Sequence, residues 1–289
     1  MDERSALAAL AETVGGAGDD AAVIDGLVLT TDMLHERTDF PAGVSRYTAG
    51  WRSVGASLSD VAAMGGAATA AVAAYGAPEF VDEELDAFVA GATDVCESVD
   101  ARYVGGDLDH HDEFTVAGAV VGRVADPVYR GGATPGDGVY VTGTLGRTAA
   151  AIREFEAGNT ERGNALFRFE PRVAAGRALA PVATAMMDSS DGLARSLHQL
   201  AGASDCGFDV SWDRFPVDSS VDAVAADAAD RRELAAFFGE DFELVFTAPD
   251  GDVDAARASL PVSVTRLGRV TGGGVVADGE ALPDRGYSH

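Results

Sequence analysis

The chain has 289 residues, enough for one large or two medium domains around a substantial hydrophobic core, so a solitary small module is excluded. Hydrophobic residues make up 47% and charged residues 24%, which removes the disordered and fibrous classes. Asp and Glu number 47 against 21 basic residues, and a surface with a net charge of −26 repels phosphate backbones and argues against nucleic-acid binding.

All 21 basic residues are arginine, and no lysine occurs anywhere. That absence rules out a Walker-type phosphate-binding lysine, a Schiff base and a pyridoxal phosphate anchor. Phosphate chemistry in this chain has to run on metal ions, arginine and backbone amides. An acidic, alanine-rich, lysine-free composition matches adaptation to high cytoplasmic salt. Cys96 and Cys206 lie far apart without a CxxC spacing, so they form neither a zinc motif nor a disulfide framework and are read as reduced thiols. The start Met1-Asp2-Glu3-Arg4 lacks the basic and apolar regions of a signal peptide, and no apolar run approaches about 18 residues, so a cytoplasmic protein without a membrane partner is expected.

In chain order, Ala6 to Val14 has a helical pattern, broken by Gly15-Gly16-Ala17-Gly18. Short strands are predicted at Ala21 to Ile24 and Leu27 to Thr30. Tyr47 to Met64 predicts a helix with Trp51, Val54, Leu58 and Val61 on one face, stopped by Gly65-Gly66. Ala68 to Tyr75 predicts a strand, Asp82 to Val99 a second amphipathic helix, and Phe114 to Val124 a long strand whose small and β-branched residues suit a buried sheet. The turn-rich stretch Gly131 to Gly138 marks a change of domain, placed between residues 128 and 129. Beyond it come a strand at Val139 to Thr142, helices at Arg147 to Ala157 and Pro171 to Leu179, a strand at Ala183 to Met187, a helix at Asp191 to Ala203, and strands at Phe242 to Thr247 and Val262 to Val270. The expected class is α/β (α+β) in two domains, 1–128 and 129–289.

Aspartates recur where glycine turns, strands and helices meet: Asp19-Asp20 after Gly18, Asp32 after Thr30-Thr31, Asp60 late on the Trp51 helix, Asp107 after Gly105-Gly106, and Asp188-Ser189-Ser190-Asp191-Gly192 between a strand and a helix. Carboxylates gathered at strand ends suit Mg²⁺, which takes oxygen ligands in octahedral geometry and shares them with water and substrate phosphates. In a chain this acidic, an aspartate taken alone is most often a solvated surface charge, or at a strand-to-helix junction an N-cap, and Asp191 is placed to cap its helix in any case.

The ordered set of segments GDDAAVI (18–24), TTDML (30–34), SLSDVAAMGG (57–66), GGD (105–107), RGGATPGDGVYVTGTLG (130–146), MDSSDGLARSL (187–197) and GEDFELVFT (239–247) resembles the thiamine-monophosphate kinases of the aminoimidazole ribonucleotide synthetase superfamily. The resemblance runs from about residue 10 to the C-terminus. It implies ATP- and Mg²⁺-dependent transfer of a γ-phosphoryl group to thiamine monophosphate, giving thiamine diphosphate. A two-domain subunit in a homodimer whose N-terminal sheets join is also implied. Carried over residue by residue, Asp20, Thr30, Thr31, Asp32, Asp60, Asp107, Asp188 and Asp191 fall on positions that bind several Mg²⁺ ions. Gly106, Asp107, Arg130 and Ser190 fall on nucleotide positions, and Glu240 and Tyr287 on thiamine-side positions.

Asp39, before Phe40, stands where the family commonly carries a substrate-contacting histidine. GGDTT continues here as Gly106-Asp107-Leu108-Asp109, without the hydroxyls, and the lysine of the family's turn is Thr134. The pair His110-His111 reads as a surface turn, because adjacent side chains diverge. A purine-pathway synthetase of the same superfamily and a nucleotide-binding subunit without catalysis stay as alternatives. A selenophosphate synthetase is disfavoured by the missing N-terminal cysteine and lysine, and a hydrogenase-maturation dehydratase by the missing C-terminal cysteine.

Overall fold

The computed structural model describes residues 13, 14 and 18–287; apart from Thr13 and Val14, the helix expected at Ala6 to Val14 lies outside them. Its strands are β1 (Ala22–Ile24), β2 (Leu27–His35), β3 (Ala67–Ala77), β4 (Arg102–His110), β5 (Thr115–Arg123), β6 (Gly138–Thr142), β7 (Ala185–Asp188), β8 (Gly207–Val210), β9 (Leu244–Ala248), β10 (Val264–Thr271), β11 (Val275–Ala277) and β12 (Glu280–Ala281). Its helices are α1 (Glu36–Asp39), α2 (Arg46–Ala63), α3 (Asp82–Glu97), α4 (Arg147–Glu156), α5 (Thr160–Phe167), α6 (Val173–Leu179), α7 (Leu193–Ser204), α8 (Ser219–Val224), α9 (Ala228–Ala236) and α10 (Asp250–Ala256). Two sheets result, one in the order β1-β2-β5-β3-β4 and the other in the order β12-β11-β8-β10-β6-β9-β7. The first is antiparallel except where β3 meets β4, and the chain passes between the sheets after Arg123 and before Gly138.

The helix that matters most is α2. Ser45 starts it by accepting the Thr48 N–H at 3.2 Å, and Gly65, at φ +70°, allows the chain to turn away after Met64. Its many small residues let neighbours approach from every side, so it is buried nearly all round. A Cβ at Gly50 would lie 2.1 Å from the Phe88 carbonyl oxygen, and one at Gly91 would lie 1.9 Å from that of Tyr47, so α2 and α3 touch backbone to backbone. A Cβ at Gly118 of β5 would come within 3.0 Å of the Ser53 carbonyl oxygen, which seats α2 on the sheet directly over the Asp32–Gly118 pair. One apolar core then runs from Val28, Val61 and Val116 to Tyr140 and Phe246 of the second sheet, whose far face packs on Leu193, Leu197 and Leu200 of α7.

The helix contact gives a direct expectation. Gly91→Ala gains roughly 1 kcal/mol of helix propensity. The overlap with the Tyr47 carbonyl costs more, because rigid backbone has to move. A net loss of about 2 kcal/mol is expected in urea unfolding, and an unchanged midpoint would contradict the close helix contact.

The structure corrects several sequence expectations. Gly105-Gly106-Asp107 lies inside an edge strand, β4, whose outer exposure leaves no alternating apolar pattern to read. The helix expected from Asp191 begins at Leu193, and its N-cap is Gly192 (φ +101°), so Asp191 is not the cap. Phe242, expected in a strand, is left-handed at φ +53°, and β9 begins two residues later. No helix among the described residues is long and apolar enough to cross a membrane.

Candidate active site

β2, α2, β7 and the Gly18 turn bring one carboxylate each to a common point. Ligand oxygens of Asp20, Asp60 and Asp188 lie within 4.8 Å of one another. Asp32 completes the group from β2, with the Ser57 hydroxyl donating to it at 2.6 Å, while the Thr30 hydroxyl donates to the Asp60 carboxylate. Strand alternation explains the pairing: Thr30 and Asp32 share the face of β2 that α2 covers. Burial, and after it the charges of Asp32, Asp188 and Asp20, holds Asp60 well above the ordinary carboxylate range. Asp188 is pushed up to about 8 by burial and then by Asp20, against the opposing pull of Ser59 and Arg130. Asp32 is raised by burial and by Asp20, although its bond from Ser57 works the other way.

Gathering like charges in a buried place is expensive unless cations neutralise them. The donor set is all oxygen, and the buried Ser189 hydroxyl beside Asp188 has no hydrogen-bond partner among the described residues. These residues therefore fit a hard divalent cation such as Mg²⁺. Arg130 approaches the same group from the start of the second half, its Nη2 at 2.8 Å and Nε at 3.3 Å from the two oxygens of Asp20. Its backbone N–H donates to Asp19 at 2.7 Å, which fixes the Gly18 turn against it.

Other expected ligands are not brought here. Thr31 lies on the opposite face of β2, and its hydroxyl donates to the Gly118 carbonyl at 2.7 Å. Asp107 is in register with Ala74, which pairs with Ala117 and through it with Met33, so it sits on that same outer face and three strands from β2. At about 4.8 Å per strand that is roughly 14 Å. Within one chain neither side chain joins the carboxylate cluster. Gly106 is a glycine for a packing reason, since a Cβ there would lie 1.8 Å from the Ala73 carbonyl oxygen. Asp191 is outside the three-carboxylate group, and its carbonyl accepts the Tyr287 N–H at 3.0 Å. Ser190 sits beside the site with its carbonyl accepting the Glu240 N–H at 2.6 Å. His110 stacks on Phe80 and His111 lies 3.1 Å from the Glu113 carbonyl, both exposed and away from the carboxylates.

Asp39, Glu240 and Tyr287 form a second group. The Tyr287 hydroxyl donates to the Thr38 carbonyl at 3.1 Å. Its ionisation is pushed up by burial and then by the charges of Glu240 and Asp39, which places all three within electrostatic reach. Asp39 is buried and closes its own turn, accepting the His35 N–H at 2.6 Å and the Thr38 hydroxyl at 2.7 Å. Sequence reasoning missed four residues of this region: Arg52, paired with Glu240, together with Ser57, Ser59 and Ser189. The available signal was a polar series, Arg52, Ser53, Ser57, Ser59 and Asp60, inside a helix that the apolar pattern buries.

The chain matches the AIR synthase related protein N-terminal domain over residues 18–124 and the corresponding C-terminal domain over residues 134–278. It is 62% identical to the thiamine-monophosphate kinase of Halobacterium salinarum, over 100% of both chains. The chain belongs to the thiamine-monophosphate kinase family. The family member of Methanospirillum hungatei is 40% identical over 100% of this chain and 99% of its own. Among solved structures, AaThiL complexed with AMPPCP and TMP aligns with a TM-score of 0.91 at 27% identity, covering 100% of this chain and 97% of that one. The two-domain AIR synthase type of fold is thus common to this chain and to thiamine-monophosphate kinases.

Proposed function

We propose that the chain transfers the γ-phosphoryl group of ATP to the phosphate of thiamine monophosphate, directly and in line. The observation that carries this reading is the convergence of Asp20, Asp60 and Asp188, with Asp32 beside them, in a family of thiamine-monophosphate kinases. One acceptor phosphate oxygen forms a bond to the γ-phosphorus while the bond from that phosphorus to the β-bridging oxygen breaks, leaving ADP. The acceptor is already an anion near pH 7, since a phosphate monoester loses its second proton near pH 6, so no general base is required. The site is consistent with that, because none of the described histidines contacts the carboxylates and none of the carboxylates is an exposed nucleophile.

Mg²⁺ held by these carboxylates supplies neutralisation of the charge spread over the phosphate oxygens. Asp20, Asp60 and Asp188 would be its protein ligands, with Asp32 next to them. Arg130 offers a planar fork for a phosphate oxygen. Ser189, whose buried hydroxyl has no hydrogen-bond partner among the described residues, and Ser190 sit where nucleotide or acceptor phosphates would lie. Tyr287, Glu240 and Asp39 border the thiamine end.

We also infer a homodimer. Ile24, Leu27, Leu29, Met33 and Val72 are exposed on the outer face of the first sheet, an apolar surface that a second copy would bury. Asp107 and Thr31 share that face and would lie in the interface. We place the domain border at residues 128/129 and the protein in the cytoplasm.

The experiment is a product assay with purified protein in high KCl. With ATP, Mg²⁺ and thiamine monophosphate, equal amounts of ADP and thiamine diphosphate are expected, and with ATP alone little ADP and no phosphorylated protein. A stable phospho-aspartyl or phospho-histidyl enzyme would overturn direct transfer. ADP formation indifferent to thiamine monophosphate would overturn the substrate.

A further inference from the structure

Arg52 is the largest fully buried side chain among the described residues, 1% exposed in the middle of α2, and no part of the phosphoryl chemistry uses it. Its Nη2 donates to the Glu240 carboxylate at 2.8 Å and to the Glu240 carbonyl at 3.2 Å. Nη1 donates to the Phe167 carbonyl at 2.7 Å. The guanidinium lies 3.8 Å from the centre of the Phe167 ring, and the rings of Phe169 and Phe242 stand at 5.5 Å each. An aromatic cage of this kind fixes a cation's orientation as well as its position.

The loop it grips is strained. Gly239, Glu240 and Phe242 all have positive φ, at +90°, +58° and +53°, and the two non-glycine residues hold a conformation that side chains disfavour. Such a loop persists only where its surroundings determine it. Here Ser190 accepts the Glu240 N–H, Ser189 accepts the Phe242 N–H, and the Thr148 hydroxyl donates to the Glu240 carbonyl at 2.7 Å. Among the described residues Arg52 makes the hydrogen bond that holds the Glu240 side chain: Oε2 is taken, while Oε1 makes none. A buried ion pair is poor value for stability alone, because desolvation offsets most of the attraction.

We propose that Arg52 is a positioning residue for the acceptor's ring end: by fixing Oε2 of Glu240 it presents Oε1 to the thiamine moiety. This rests on the thiamine monophosphate reading above. The chemistry fits, since thiamine carries a cationic thiazolium and an aminopyrimidine, both complementary to a carboxylate. The arrangement also sets a distance. Arg52 and Asp60 are eight residues apart on one continuous helix, which is about 12 Å along the axis at 1.5 Å per residue. α2 thus carries the phosphate-end carboxylate and the support for the ring-end carboxylate on one rigid element.

The test compares steady-state kinetics and Mn²⁺ binding of wild type, Arg52→Gln, Arg52→Lys, Glu240→Gln and the double variant Arg52→Gln/Glu240→Gln. Loss of a charge-assisted contact predicts a rise in KM for thiamine monophosphate of about tenfold or more in Arg52→Gln. KM for ATP and Mn²⁺ affinity should stay within about twofold, an asymmetry that a merely structural role would not give. Arg52→Lys, which keeps the charge but not the fork, should fall between, and the double variant should be no worse than the worse single variant because both act through one contact. If Arg52→Gln does not fold, Arg52→Lys and Glu240→Gln decide. An unchanged KM for thiamine monophosphate in the folded variants, additive losses, or equal losses for both substrates would overturn the assignment. Wild-type turnover indifferent to thiamine monophosphate would overturn the functional reading, and this inference with it.

Discussion

Asp60→Asn is expected to lower thiamine diphosphate formation by about a hundredfold or more while leaving the fold intact. Asn keeps the shape of the side chain and the bond from Thr30, but removes one charge from the three-carboxylate group. Phosphoryl transfer here has little electrostatic help besides that group and Arg130, and losses of this order follow removal of a single electrostatic group in other active sites. The fold should survive because Asp60 is held well above the ordinary carboxylate range by burial and by neighbouring acids, so replacing it relieves repulsion instead of breaking a bond network. The control is Asp94→Asn on α3. Asp94 accepts the Tyr47 hydroxyl at 2.6 Å in an exposed place, and Asn accepts the same bond, so activity and melting temperature should change little. Near-normal activity of Asp60→Asn at saturating Mg²⁺ would make Asp60 a structural residue.

Asp188→Asn should act in opposite directions on activity and on the stability of the Mg²⁺-free protein. Its folded-state value near 8 lies above the ordinary 3.8, so the folded state binds the proton more tightly than the unfolded chain does. That contribution to stability is fully present below about pH 4 and is lost as pH rises through about 8. In the Mg²⁺-free protein, therefore, Asp188→Asn should be the more stable form at pH 8, and the gap should close toward pH 5. Converted at about 1.4 kcal/mol per unit the gap is of order several kcal/mol at most, because the carboxylates titrate together. Activity should fall as for Asp60→Asn. Melting curves from pH 5 to 8, at KCl high enough to screen the general surface charge, check the sign. A variant less stable than wild type at pH 8 would contradict the repulsion on which the metal reading depends. The same linkage predicts proton release when Mg²⁺ binds at pH 7, measurable by calorimetry in buffers of different ionisation heat.

Much of the site could be read from the sequence because its residues stand at junctions that glycine and aspartate mark. Asp20, Asp32, Asp60 and Asp188 were all legible, and so was Arg130 at the head of its turn. Thr31 and Asp107 are not brought to the cluster by this chain, for a geometric reason. In a strand, neighbours alternate faces, so a TTD run delivers only Thr30 and Asp32 to α2, and a GGD on an edge strand carries no pattern that says which face it joins. Asp191 stands at a strand-to-helix junction that predicts an N-cap, whereas Gly192, at positive φ, takes that place one residue later. Arg52 left a local trace, a polar residue in a buried helix, but not its role. A cation inside an otherwise buried helix breaks the apolar pattern, and its partners Glu240 and Phe167 lie 188 and 115 residues away, beyond any local signal.

The most direct test of the central claim, that the converging carboxylates are the metal centre, is anomalous diffraction from crystals grown with Mn²⁺ and a non-hydrolysable ATP analogue. The expected result is at least one anomalous peak bound directly by oxygens of Asp20, Asp60 and Asp188, at roughly 2.0–2.4 Å. The Arg130 guanidinium should then lie against phosphate oxygens. Mn²⁺ bound elsewhere, with Arg130 still paired to Asp20 and the three carboxylates free of metal while nucleotide is present, would contradict it.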